Sequence, residues 1–330
     1  MKIFVPGPTG SIGQHLVKML AERGHTIHAL VRSVEKTKAQ SLNNLTYFQG
    51  DLSDKASIDK AMSGCQQVYH LAACAKVWAK HSGEFYAINV TGTVNILEAA
   101  VKHKIEKVVV TSTAGVLGPS LSNTITEDTV RELDFFNEYE GSKSMAESRV
   151  KDFVNNCNLN VVIVSPSRVY GPFLSGPASS ITLMIDKYVN GKWRVYPGTG
   201  KEIGNYVYIE DVALGHILAM EKGRKGHTYL LGGENHDYIS FYSKLGEASG
   251  IDRKMIRIPV WVQLTFARIQ LLLAERFGKE PSITPKWISK GNYNWELSSH
   301  KAIQELGLPV TPLSEGLRKT VAYVKTIRRN

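Results

Sequence analysis

The chain has 330 residues, 43% of them hydrophobic, with 40 basic against 30 acidic side chains and a formal charge of +10. That length and composition fit one large globular domain or a domain and a fraction. The cations are scattered and no nucleic-acid motif accompanies them, which excludes a polynucleotide partner and leaves solubility and attraction of an anionic dinucleotide.

The opening strand, Ile3 to Val5, runs into Gly7, Gly10 and Gly13, three residues apart, and then into a helix with Ile12, Leu16, Val17 and Leu20 on its apolar face. Such a turn lays a pyrophosphate on backbone N–H groups at a helix N-terminus, where small residues permit close approach. Thr9, Ser11 and Ile12 complete this expected phosphate loop. A second strand, Thr26 to Val31, ends at Arg32. An acidic residue here would accept hydrogen bonds from the adenosine ribose and mark NAD. None is present; Arg32, followed by Lys36 and Lys38, suits a 2′-phosphate and favours NADP(H) over NAD(H), the alternative being a solvated basic loop. A third strand, Leu45 to Phe48, leads to Asp51 and Leu52, where the carboxylate can meet the adenine amino group.

Further apolar runs follow at Val68–Leu71, Lys107–Thr111 and Val161–Val164, separated by helical spacing at Val90, Val94, Leu97 and Val101 and at Ala146, Val150 and Val154. Runs without strict alternation, interleaved with helices, predict an α/β fold: a Rossmann-type, doubly wound parallel sheet covered on both faces. Within it, Tyr139 and Lys143 stand four apart and share a helix face. An ammonium beside a phenol favours the phenolate and equips the pair for acid/base work on a carbonyl or alcohol. Three cysteines (Cys65, Cys74, Cys157) without a C-x-x-C pair predict a reducing, cytoplasmic setting with neither disulfide nor metal. A fold beginning at residue 3 leaves no room for a signal peptide. The most apolar late stretch, 260–274, is interrupted by Arg268 and is shorter than the roughly 20 residues a bilayer span needs. It reads first as a helix buried in a small lobe, with a pocket cover or a peripheral membrane contact as alternatives.

In order along the chain, these motifs resemble the extended short-chain dehydrogenases/reductases of the NAD-dependent epimerase/dehydratase superfamily, closest to the branch of dihydroflavonol 4-reductase and 3β-hydroxysteroid dehydrogenase. Gly7, Gly10 and Gly13 match that family's phosphate loop, and Leu71-Ala72-Ala73 its segment beside the nicotinamide ribose. Asn89-Val90-Thr91-Gly92-Thr93 matches a helix motif, Thr111-Ser112-Thr113-Ala114 the segment of the catalytic Ser or Thr, and Tyr139 with Lys143 the catalytic pair. Pro166 to Pro172, with Pro166 and Val169, matches the stretch facing the nicotinamide amide. The resemblance implies a nucleotide-binding domain over 1–165, rejoined by about 205–222, and a smaller discontinuous substrate lobe over 166–330. It also implies Thr113 as donor to the substrate oxygen and Asn89 as support for the cofactor or a proton relay, unless packing alone requires it; a homodimer is the family's habit.

Departures narrow the substrate. Nucleotide-sugar enzymes of this family carry an Asn in the 168–172 segment, an Arg before the 207–211 strand and a Tyr where Leu117 stands. This chain has Arg168-Val169-Tyr170, Gly204-Asn205-Tyr206 and Val116-Leu117-Gly118 instead. The expected activity is therefore NADP(H)-dependent reduction of an apolar, ring-bearing ketone or aldehyde, with Trp78, Leu117, Tyr170 and Tyr206 as candidate lining. A nucleotide-sugar epimerase or dehydratase with bound dinucleotide is the alternative, and a non-catalytic dinucleotide sensor a third.

Overall fold

Strands covered on both faces have no solvent side, so their sequences are unbroken apolar runs. The computed structural model describes residues 1–35, 42–173, 179–278 and 280–327. In it such runs form β1 (Lys2–Pro6), β2 (Thr26–Val31), β3 (Leu45–Gln49), β4 (Gln67–His70), β5 (Lys107–Thr111) and β6 (Val161–Pro166). Between them lie α1 (Ser11–Glu22), α2 (Lys55–Met62), α3 (Gly83–Tyr86), α4 (Gly92–Lys102) and α5 (Glu138–Asn156). Side chains alternate across the sheet: Ile3 and Val5 face one core, Phe4 and Val68 the other. The first core takes Leu16 and Val17 of α1; the second takes Ile58 of α2, Ile96 and Leu97 of α4 and Val150 of α5.

After β6 the chain alternates between two bodies. It forms β7 (Arg168–Tyr170), α6 (Ser180–Val189), β8 (Val195–Tyr196) and β9 (Ile203–Tyr208), then α7 (Ile209–Lys222) and β10 (Thr228–Leu231). Helix α7 packs its Val212 and Ile217 with α1, and β10 pairs parallel with β6, so residues 209–231 belong to the larger body. The completed seven-stranded sheet has the order β10-β6-β5-β4-β1-β2-β3. Its order reverses between β1 and β4, and ligands of such sheets bind in the crevice at the strands' C-terminal ends there.

The chain then forms β11 (Glu234–Asp237), α8 (Tyr238–Ser249), β12 (Ile256–Arg257), α9 (Val260–Phe277), α10 (Pro285–Gly291) and α11 (Leu313–Ile327). Strands β11, β9 and β7 make a three-stranded sheet, under which Tyr170, Tyr206, Tyr208, Phe241, Leu245 and Leu317 form a separate core. Helix α9 departs from its first reading. It is not buried: only Ala267 and Ala274 of its 18 residues are, while Trp261, Phe266, Leu272 and Phe277 are exposed. No helix among the described residues is long and apolar enough to cross a membrane.

Candidate active site

The turn after β1 has the geometry a bound phosphate needs. Gly7 has φ +87°, a left-handed conformation that side chains disfavour, and a Cβ there would lie 2.5 Å from the Ala72 nitrogen. Ala72 and Leu71 are held close because both donate to the Pro6 carbonyl, at 3.0 and 3.1 Å. A Cβ on Gly13 would collide with the Gly7 carbonyl. Helix α1 begins after Gly10 with no side-chain cap and no acid in its first turn, so its leading N–H groups are left for an anion. Thr9 and Gly10 are exposed, Ser11 and Ile12 half-buried. These residues fit a dinucleotide pyrophosphate.

Arg32 is exposed just past the C-terminal end of β2; Lys36 and Lys38 lie outside the described residues. The Asp51 carboxylate accepts from the Ser53 N–H at 2.9 Å, which, with Arg32 as a lesser contributor, holds its pKa below the usual range. Leu52 is buried and its carbonyl accepts from Asn95. Pro166 closes β6 and Val169 is half-buried in β7.

Helix α5 carries the acid/base candidates. Asn137 caps it, accepting from the Glu140 N–H at 2.9 Å. Tyr139 and Lys143 follow one turn apart, and the Lys143 ammonium donates to the Thr111 carbonyl at 2.7 Å, tying α5 to the end of β5. Thr113 sits just beyond β5; its hydroxyl oxygen accepts from the Gly115 N–H at 3.2 Å, which leaves its own proton to donate. A Cβ on Gly115 would lie 3.3 Å from Glu140, so the Thr113 segment packs against the residue after Tyr139. The end of β5, which leads to Thr113, and the first turns of α5, which carry Tyr139 and Lys143, are thus joined at two points.

The electrostatics differ from the spacing argument. Burial, then the adjacent Glu140 carboxylate, push the Tyr139 phenol up to about 12 rather than down. Burial lowers the Lys143 ammonium to about 8, with Glu147 opposing. The tyrosine is a protonated acid, because desolvation and the Glu140 carboxylate both disfavour the phenolate.

Asn89 is fully buried in a π-helical turn, Ala87–Thr91, a distortion common at functional sites. Its amide oxygen accepts from the Cys74 N–H at 2.7 Å; its amide nitrogen donates to the Cys74 carbonyl and to Ser142 Oγ, at 3.1 and 2.9 Å. Ser142 Oγ in turn donates to the Tyr139 carbonyl at 2.9 Å. Asn89 therefore ties the loop after β4 to the turn carrying Tyr139.

Of the candidate lining residues, Leu117 and Trp78 are half-buried, and Leu117 edges a cleft of about 270 Å³ shared with Pro119, Asn123 and Thr129. Tyr170 and Tyr206 are 0% and 1% exposed, and their rings belong to the core beneath the small sheet; Tyr206 stacks on Phe241 at 4.6 Å. Both rings are packed as core rather than open to a cleft.

Sequence reasoning missed a buried charge cluster. Glu140, 0% exposed, pairs with Arg131 at 3.0 Å and with Lys290 of α10 at 2.7 Å. Lys290 also lies over the rings of Trp287 and Trp295, at 5.0 and 4.7 Å. Phe136 lies 5.2 Å from Tyr293 and 6.1 Å from Trp295, so an aromatic wall stands beside the turn that presents Tyr139. Lys290 is 150 residues from Glu140, and no local pattern signals the pair. Glu147 was legible: it continues the series Tyr139, Lys143 at the same four-residue spacing.

Comparison with known proteins follows the same lines. The profile described as the NAD dependent epimerase/dehydratase family matches residues 3–232. A Synechocystis protein provisionally named dihydroflavonol 4-reductase is 31% identical, over 98% of this chain and 96% of its own. Sterol demethylase protein B of Methylococcus capsulatus is 29% identical over 98% of each chain. Among solved structures, the UDP-glucose 4-epimerase of Thermotoga maritima, 23% identical, superposes with a TM-score of 0.80 over 99% of this chain and 100% of that one; at that identity the likeness speaks for the fold alone.

Proposed function

The chain belongs to the NAD-dependent epimerase/dehydratase family, and from that premise we propose that it is an NADP(H)-dependent reductase of a ketone or aldehyde on an apolar, ring-bearing substrate. The observation that carries this reading is the Lys143 ammonium, one turn after Tyr139, held on the Thr111 carbonyl two residues before Thr113. The glycine turn would hold the pyrophosphate of a nicotinamide dinucleotide, and that cofactor would supply or accept the hydride. Thr113 donates its hydroxyl proton as a hydrogen bond to the substrate oxygen, where negative charge develops. Tyr139 delivers its phenolic proton to that same oxygen. The high pKa of Tyr139 keeps this acid loaded across the physiological range. Lys143 keeps two N–H donors beyond the one given to Thr111, enough to orient ribose hydroxyls.

Arg32 at the end of β2, with no carboxylate in its place, supports the 2′-phosphate. The aromatic wall of Phe136, Tyr293 and Trp295 and the names of the relatives, a dihydroflavonol reductase and a sterol demethylase protein, support a ring-bearing substrate. The test is cofactor oxidation by the purified protein, NADPH against NADH, over a panel of cyclic, aromatic and steroid ketones. NADPH-dependent turnover is expected, with Arg32→Ala raising KM for NADPH about tenfold through loss of a charge-assisted contact while leaving NADH unaffected. Tightly co-purifying NAD with turnover of a nucleotide sugar would overturn the reading in favour of an epimerase.

A further inference from the structure

Helix α9 presents its large apolar side chains outward. Trp261 is 70% exposed, Phe266 57%, Ile269 53%, Leu272 65% and Phe277 72%, and Ile256 just before the helix is 56% exposed. At 100° per residue Trp261, Ile269, Leu272 and Leu273, with Thr265, Arg268 and Arg276, share the half of the helix opposite Ala267 and Ala274, the two residues that seat it; Phe266 stands at the edge of that half and Phe277 closes the last turn beside it. The helix is about 27 Å long at 1.5 Å per residue, so the ridge it makes is far larger than the scattered apolar exposure of an ordinary surface.

Charge identifies what this ridge meets. Within the helix Arg268 and Arg276 are exposed against the one carboxylate of Glu275; in its flanks the exposed cations Lys254 and Arg257 stand with the exposed acids Asp252 and Glu280. Arginines within an apolar face suit a lipid interface, where the stem lies along hydrocarbon and the guanidinium reaches the phosphates. They suit a second copy poorly: antiparallel pairing about the middle of the helix would set Arg268 against Arg268, and self-association cores are depleted in charge. We propose that the outward face of α9 docks this protein peripherally on an anionic phospholipid surface, with the helix lying in the plane of the headgroups and the rest of the chain on the aqueous side. Docking of this kind combines burial of apolar side chains with attraction of basic ones to anionic lipid.

The experiment is flotation of the full chain with vesicles of phosphatidylcholine alone or containing about a third phosphatidylglycerol, at low and high salt, beside sedimentation velocity without lipid. Binding to the anionic vesicles at least tenfold above phosphatidylcholine, weakened by salt, is expected. Phe266→Ser with Leu272→Ser should reduce it about tenfold, and Arg268→Glu with Arg276→Glu should abolish the preference for anionic lipid, with Tm unchanged in both because the replaced side chains are exposed. Absence of vesicle binding by the wild type, or equal binding by both variants, overturns the proposal. So does a concentration-dependent dimer that the Phe266→Ser/Leu272→Ser variant dissolves, which would assign the face to a second copy.

Discussion

Helices α5 and α9 are nearly equal in length, 19 and 18 residues, and invert each other's polarity. Helix α5 is polar, yet it buries Glu140, Ser142 and Lys143. Helix α9 is apolar, yet it buries two alanines and leaves its bulky side chains in water. Folding energetics alone dictates the opposite, since desolvating charge costs free energy and burying Leu or Phe gains it. Where burial contradicts polarity, something besides stability is being served. On α5 the contradiction assembles an acid and its partners; on α9 it holds an adhesive face in readiness.

The sharpest way to break the comparison is to remove the acid from α5. Tyr139→Phe keeps the ring and its packing, so turnover should fall by roughly 10²–10⁴ while NADPH affinity, read by fluorescence titration, stays within about twofold. Retained turnover would reduce the buried polarity of α5 to architecture. A smaller effect is expected from Asn89→Ala. It orphans the Cys74 N–H, removes the Asn89 donor from the Cys74 carbonyl and from Ser142 Oγ, and should cost about 1–3 kcal/mol in denaturant unfolding. It should also lower kcat more than it raises KM, because Tyr139 loses its brace while the phosphate loop is untouched.

The mildest probe is pH. The charged form of Lys143 is present below its pKa of about 8 and lost above it, whereas Tyr139 stays protonated up to about 12. The profile of kcat/KM for reduction should therefore be flat through neutrality and descend with a midpoint near 8. Stability should show the opposite slope at lower pH. His216 is fully buried, with its pKa depressed from 6.5 to about 4; its Nδ1–H donates to the Val212 carbonyl and its Nε2 accepts from Thr111 Oγ1 at 2.8 Å. The unfolded chain then binds a proton that the folded one refuses, so Tm should decline as pH falls from 6.5 to 4, and less so in a His216→Gln variant.

The sheet was legible because covered parallel strands leave only apolar runs, and five of the six anticipated strands lie within one residue of their observed ends; β6 extends two residues further, to Pro166. β10 escaped notice: Thr228-Tyr229-Leu230-Leu231 is short and follows a helix in a region read as lobe. The glycine turn, Tyr139 and Lys143 stood out because their spacing is local, set by a turn and one helical period; Thr113 was singled out from Thr111 and Ser112 only by the family resemblance. Arg131, Glu140 and Lys290 were not, because nothing along the chain says which distant cation meets a buried carboxylate. Helix α9 misled for a physical reason. An apolar run containing an arginine reads the same whether its bulky side faces a core or a second solvent, and only the two small residues, seven apart, mark the side that is seated.

Lys290 has a consequence for anyone who would treat this architecture as interchangeable parts. It belongs to α10, in the C-terminal half of the chain, yet its ammonium neutralises the carboxylate next to Tyr139. A chimera that keeps residues 1–250 and takes its C-terminal segment from a relative lacking this lysine would leave Glu140 with Arg131 alone and a more negative field at Tyr139. Such a graft would fold, bind dinucleotide and still be a poorer proton donor, for want of one cation carried by the piece presumed to set only specificity.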